Sequence, residues 1–234
     1  GIGSGIGGGA WYFQDKADGV DPTLNLDFIN NRYAVNGVEA PFADVFTFTR
    51  ASTATYFDAS GVMQTAAIDA PRFDYDPVTH APKGILIEES RTNLALYSED
   101  FSNSSWQKWG ASLSVNASLS PNQTVSSNLL LPNTSAGQHY LKQNTSRVNG
   151  MYYTATVYAK SAGYNWLYMW LGSMSPSSLG AYFNLQTGNL GAFSTGATTS
   201  ISNIGGGWYR CTISGLSAST SGGFDLHASP NGST

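Results

Sequence analysis

From Ala111 onward the chain is a succession of short segments in which apolar and polar residues alternate, broken at regular intervals by Gly, Ser, Asn or Pro. Alternation with period two sends successive side chains to opposite faces of an extended strand, whereas an amphipathic helix needs a period near 3.6. No stretch of the chain holds a helical period over eleven or more residues. Candidate strands are 111–118, 136–143, 151–160, 164–171, 179–185, 188–193, 198–203, 207–214 and 223–228. Many short strands with evenly spaced turns predict an all-β fold, an antiparallel β-sandwich. Composition agrees. Only 11% of residues are charged, so the helix formers Glu and Lys are scarce, while 41% are hydrophobic, enough for a real core. The length of 234 residues suits one large β-domain or two small ones.

The N-terminal half is rich in hairpin signals. LNLDFI (24–29) reads as a strand and VFTFT (45–49) alternates cleanly. TYFD, ASG and VMQTA read as a hairpin with Gly61 free to take a positive φ, and PRFDYD, PVTHAPKG and ILIEE as a second one. RTNLALYSEDFSNSSWQKWG (91–110) reads as a connector whose aromatics Tyr97, Phe101, Trp106 and Trp109 pin it to a neighbouring domain. The expected organisation is a Gly-rich lead-in or interface segment at 1–23, a β-rich N-terminal domain at 24–95, a connector at 96–110 and a sandwich module at 111–234. The run GIGSGIGGG lacks the GK[ST] ending of a phosphate loop. The chain begins at Gly1 and stops at Thr234 in a polar, turn-like stretch, the pattern of a fragment or of the ordered part of something longer.

The segment GYNWLYMWLG (163–172) sorts into two faces. Asn165, Leu167, Met169 and Leu171 fall on the core side. Tyr164, Trp166, Tyr168 and Trp170 fall on the other, as a ladder of four aromatics. Neighbouring segments sort compatibly. In 151–160, Met151, Tyr153, Ala155, Val157 and Ala159 turn inward and Tyr158 outward. In 179–186, Tyr182 and Asn184 turn outward, and in 223–228, Asp225 and His227 do so. One sheet is thus expected to present Tyr158, Tyr164, Trp166, Tyr168, Trp170, Tyr182, Asn184, Asp225 and His227 together. Aromatic rings stack on the C–H face of a pyranose, and fixed amides and carboxylates bind its hydroxyls. Three occupants fit such a face: a glycan, a second subunit, or ordinary intrachain packing.

Charge and motifs exclude several functions. The net charge is −4, with Lys and Arg scattered, which leaves no footprint for nucleic acid. No segment is long and apolar enough to span a bilayer, and no secretory signal is visible. Cys211, the one cysteine, alternates into the core, so no intramolecular disulfide forms. His80, His139 and His227 are far apart, and no HExxH, CxxC, EF-hand loop or nucleophile elbow is present, so neither a metal site nor a catalytic residue is expected. The carboxylates Asp74, Asp76, Glu88 and Glu89 converge on one hairpin. They are candidates for a hydrolytic acid/base pair or a calcium ion, with solvation or pairing to Arg72, Lys83 or Arg91 as the plainer reading.

FTRASTATYFD (48–58), PRFDYDP (71–77) and GILIEESRTNL (84–94) carry a resemblance. Residues 45–106 resemble a segment of phage and prophage tail-fibre or head-spike-fibre proteins. Through YTATVYAKSAG, AYFNLQTG and GGGWYRCTIS, residues 111–214 resemble the carbohydrate-binding-type jelly roll that follows it. The resemblance implies a non-enzymatic virion appendage on the particle surface with lectin-like sandwich modules. Its implied partners are other virion proteins, further copies of itself (a trimer favoured) and host surface carbohydrate. The alternatives are a purely structural decoration, collar or fibre-shaft protein and, third, a polysaccharide depolymerase. Modules of this kind end in a strand with a Trp-Gly-Ala-Gln-like stretch that this sequence lacks, so a truncated module or a strand supplied from elsewhere is expected.

Overall fold

The computed structural model describes residues 23–232 and is almost entirely β. The Gly-rich run at 1–9 lies outside the described residues. The chain divides into two units, one ending at Glu88 and one beginning at Glu89. Every strand pair is antiparallel.

In the first unit, β1 (Leu24–Asp27), β2 (Arg32–Val35) and β3 (Val38–Ala40) form a three-stranded sheet. Asn36 and Gly37, both at positive φ, make the two-residue turn between β2 and β3. A single helical turn, α1 (Phe42–Val45), follows. Two hairpins complete the unit, β4 (Ala54–Phe57) with β5 (Met63–Ala66) and β6 (Phe73–Tyr75) with β7 (Pro82–Ile85). The strand expected at 45–49 is replaced by the end of α1 and an unpaired extended stretch. Alternation there serves ring packing instead: Tyr33 is fully buried, with the rings of Phe28, Phe42 and Phe46 at 5.5, 5.5 and 5.8 Å. The second hairpin pairs Phe73 with Ile85, so of ILIEE only Ile85 lies in the strand and the loop is shorter than expected.

Two arginines hold the hairpins by their main chains. Arg50 donates to the carbonyls of Ser52 (2.7 Å), Ala70 (2.7 Å), Ala66 (3.3 Å) and Ala67. The buried Arg72 donates to Thr55 O (3.0 Å) and to the Glu88 carboxylate (2.7 Å). A guanidinium presents five donors in a fixed fork, which suits it to gathering carbonyls that no strand partner satisfies.

The second unit is a sandwich of two sheets. Its strands are β8 (Gln107–Trp109), β9 (Ala111–Leu119), β10 (Val125–Pro132), β11 (Tyr140–Ser146), β12 (Tyr152–Lys160), β13 (Trp166–Leu171), β14 (Met174–Ser175), β15 (Leu179–Asn184), β16 (Leu190–Phe193), β17 (Thr198–Asn203), β18 (Trp208–Ser217) and β19 (Ser221–Ser229). One sheet has the order β16-β15-β13-β19-β11-β8. In the other, β18 pairs with β12 on one side and with β17 and β14 on the opposite side. The hairpin β9–β10 adds Leu113 and Leu130 to the core. Strands β8 and β14 escape the alternation reading because they are short, and β10 because its SSN and LLL runs do not alternate.

The core forms where the inner faces meet. Leu167, Met169 and Leu171 of β13, and Leu179, Ala181 and Phe183 of β15, pack with Tyr209, Cys211 and Ile213 of β18. Each Leu, Ile, Met or Phe of this set contributes roughly 1.5–3 kcal/mol on full burial. Met151 departs from expectation: it precedes β12 and is exposed. The segment read as a connector docks on this core. Trp106 is buried, with Phe101 at 4.9 Å and Phe224 at 6.2 Å. The buried Gln143 accepts from Leu96 N–H (2.6 Å) and donates to Leu96 O (3.0 Å), which anchors that backbone as a strand partner would.

Arg147, buried at the end of β11, donates to Gly172 O (2.8 Å), Gly223 O (3.0 Å) and Met174 Sδ (2.9 Å). Burial lowers its pKa. Arg147→Lys keeps the charge and loses the fork. It is expected to cost about 2 kcal/mol, and Phe183→Ala about 3–5 kcal/mol, in equilibrium urea unfolding. An unchanged midpoint in Arg147→Lys would show that these carbonyl bonds carry no stability.

Candidate functional site

The register of the six-stranded sheet builds the site. On its outer face Tyr182 (β15) lies opposite Tyr168 (β13), Tyr168 opposite His227 (β19), His227 opposite Tyr140 (β11), and Tyr140 opposite Trp109 (β8). The rings form one row across five strands. Centroids are 4.4 Å apart for Tyr182–Tyr168, 5.1 Å for Tyr168–His227, 4.7 Å for Tyr140–His227 and 6.5 Å for Tyr140–Trp109, the last pair stacked at 13°. Flanking rows hold Asn184, Trp166 and Ser229 on one side, and Gly180, Trp170, Asp225, Lys142 and Gln107 on the other.

The central aromatics point outward, as alternation requires, but they lie down on the sheet. A Cβ added at Gly180 would meet Tyr168 Oη at 2.2 Å. One at Gly172 would meet Trp170 at 2.5 Å, and ones at Gly191 and Gly232 would meet Trp166 at 2.7 and 2.5 Å. Each ring covers backbone that glycine leaves bare. Trp166, Tyr168 and Trp170 are therefore half-buried, and Tyr182 is buried.

Other expected site residues fall differently. Tyr158 lies on β12, in the opposite sheet, because 151–160 pairs with β18; it does not join the site. Asn184 ends β15, and its side chain accepts the N–H groups of Gln186 and Thr187, each at 2.9 Å, to make a turn. Tyr164 precedes β13 and is 40% exposed. Asp225 and His227 keep their outward orientation but are buried. Trp109, 65% exposed, and Tyr140 belong to the row although sequence reading assigned Trp109 to a connector and left Tyr140 aside. The alternation of Gln107 and Trp109 was the available signal; their strand partner β11 is some thirty residues away in sequence.

Tyr164, Tyr168, Tyr182 and His227 line an open depression of about 320 Å³ together with Gln138, His139 and the 228–230 segment. His139 Nδ1 lies 2.6 Å from Gly110 O. A carbonyl only accepts, so Nδ1 carries the hydrogen and Nε2 of the neutral ring is an acceptor. Burial raises the pKa values of Tyr168 and Tyr182, so both phenols stay protonated donors. Burial also lowers His227 to about 4 and raises Asp225 to about 6, the latter opposed by Lys142. His227 Nε2 and Asp225 Oδ2 are 3.9 Å apart. With each shifted toward its neutral form, the two are neighbours rather than an ion pair.

The carboxylates of the N-terminal hairpins are engaged elsewhere. Asp74 accepts Phe57 N–H (2.8 Å), Glu88 holds Arg72, and Glu89 pairs with Arg91. Asp76 accepts Thr79 and Val78 N–H, and those bonds hold its pKa at about 2. Among the described residues no three His, Cys, Asp or Glu side chains gather closely enough to hold a metal ion. The buried Cys211 thiol is pushed up to about 12.

The Asp225 and His227 shifts have opposite consequences for stability. Asp225, raised from 3.8 to about 6, favours the fold when protonated; that contribution is complete below pH 3.8 and lost as pH rises through 6. His227, lowered from 6.5 to about 4, favours the fold when neutral; that contribution is present above pH 6.5 and lost as pH falls through 4. Between pH 7 and 5 the two partly cancel, each on the order of 1–2 kcal/mol. Asp225→Asn is expected to lose more stability than the parent between pH 7 and 5, and His227→Gln less. Urea midpoints at the two pH values check the order, and the reverse order would refute the assignment.

No protein-family model matches the chain, and no curated protein matches it in sequence.

Proposed function

We propose that this chain is a non-enzymatic appendage protein of a bacteriophage particle, fibre or spike in type, exposed on the virion surface. Its C-terminal sandwich, read as a jelly roll, binds host-surface carbohydrate on the outer face of the six-stranded sheet. The observation that carries the reading is the row of five rings from Tyr182 to Trp109, alongside a depression lined by phenols, an amide and imidazoles. Rigid rings supply stacking area at little entropic cost, and their polar tips reach sugar hydroxyls. One such site is weak, and copies on one particle multiply it.

Attachment to other virion proteins and self-assembly, with a trimer favoured, belong to the same reading. Leu24, Val35 and Val38 stand opposite one another in a cross-strand row of the β1–β3 sheet, and all three are exposed. Further copies of the chain would cover that row. The purely structural alternative, a decoration, collar or shaft protein, draws on the half-buried state of Trp166 and Trp170, which leaves less free ring area than an erect ladder.

Trp109→Ala and Tyr164→Ala are each expected to weaken binding to host cells or isolated surface polysaccharide at least tenfold with unfolding midpoints unchanged. Trp166→Ala is expected to lower the midpoint instead, because it uncovers Gly191 and Gly232. Full binding by both of the first two variants would remove this face from the function. Light scattering is expected to give a multiple of the monomer mass that falls on Val38→Lys; a monomeric parent would sink the self-assembly reading.

A further inference from the structure

We infer that the depression and Trp109 together take an uncharged saccharide chain, laid across the strands, and discriminate against acidic sugars. This rests on the carbohydrate-binding reading and narrows it to a class.

The chemistry of the lining carries the inference. Gln138, His139, Tyr164, Tyr168, Tyr182 and His227 supply rings, hydroxyls, an amide and imidazole nitrogens, with no carboxylate and no ammonium or guanidinium. The phenol hydroxyls of Tyr164, Tyr168 and Tyr182 have no hydrogen-bond partner among the described residues. Sugar hydroxyls both donate and accept, so they match phenols that donate and a His139 Nε2 that accepts. A carboxylate, sulfate or phosphate brought here would give up its hydration without a cation to pair with, which is costly.

The unit's cations are committed elsewhere. Arg147 is buried among carbonyls, and Lys108 donates to Ser102 O and Trp106 O. Lys160 and Arg210 sit in the opposite sheet, and Arg91 pairs with Glu89. Lys142 shares the outer face but lies opposite Asp225, with its ammonium 5.7 Å from the Trp170 ring. Buried His227 adds no positive charge at neutral pH.

Geometry sets the direction. At the end of the ring row away from Tyr182, the exposed Trp109 indole stacks beside Tyr140, the next ring after His227 of the depression. The ring row spans five strands, roughly 19 Å at the usual strand spacing. A ligand that uses both ends is a chain of several sugar rings running perpendicular to the strands.

The test is titration of the full chain, by calorimetry, with a panel of neutral hexaoses (gluco-, manno- and galacto-) and of hexauronates built on the same sugars. At least one neutral hexaose is expected to bind. Its affinity should change less than twofold between 50 and 500 mM NaCl, exceed that of the matched hexauronate at least tenfold, and fall at least tenfold in Trp109→Ala. Tyr164→Phe, which removes a single hydroxyl, should weaken it with the fold unchanged. Hexauronates that bind as tightly, and lose binding in Trp109→Ala, would overturn the uncharged class and leave carbohydrate binding standing. Binding of neither class would overturn both.

Discussion

Strand β13 is hydrogen-bonded along both edges, to β15 and to β19, and that double pairing governs the sandwich. A strand held on both sides cannot slip by one residue without turning every side chain to the wrong face. Its inner set, Leu167, Met169 and Leu171, is buried against β18, so its outer set must be Trp166, Tyr168 and Trp170. The register then passes outward through β19 and β11 to β8. Because of it, Tyr182, Tyr168, His227, Tyr140 and Trp109 share one row although they are scattered between positions 109 and 227 of the sequence.

Large rings on the outer face of a sheet create a second problem, which glycine solves. Gly172, Gly180, Gly191 and Gly232 leave flat backbone where Trp166, Tyr168 and Trp170 come to rest. The rings shield main-chain hydrogen bonds and give up exposure in return. Asp225 and His227 are buried between them, and desolvation moves both toward neutrality. Trp109 escapes this because β8 is the last strand of the sheet among the described residues. The same packing that makes the centre of the face a structural layer leaves its edge and the adjoining depression as the surface for a ligand.

The N-terminal unit is organised by other means. Among its described residues only Tyr33, Ala34 and Ala66 are buried apolar side chains. Side chain to main chain bonds supply much of the rest. Arg50 and Arg72 gather carbonyls, Asp58 accepts Ser60 and Val62 N–H, Asp76 accepts Val78 and Thr79 N–H of its own hairpin, and Asp74 accepts Phe57 N–H of the other hairpin. Within FTRASTATYFD and PRFDYDP, Arg50, Asp58, Arg72, Asp74 and Asp76 therefore fix turns and hairpins through the main chain. A carboxylate fixed by two main-chain donors, as Asp76 is, stays ionised and has no proton to give at neutral pH.

Period-two alternation, set by the two-fold pleat of an extended chain, was enough to determine the class of fold, the core positions of β13, β15, β18 and β19, and which side chains of those strands face outward. It failed where strands are too short or too polar to show a period, as in β8 and β14, and where alternation serves ring packing, as at 45–49. Alternation is a local property and carries no information about which strands become neighbours. Only tertiary pairing decided that Tyr158 belongs to the other sheet, that Trp109 and Tyr140 complete the row, and that the aromatics recline on glycines instead of standing free. The physical reason is that register and burial arise from contacts between segments distant in sequence, and a side chain's face is known from its own strand while its exposure depends on what the neighbouring strands bring against it.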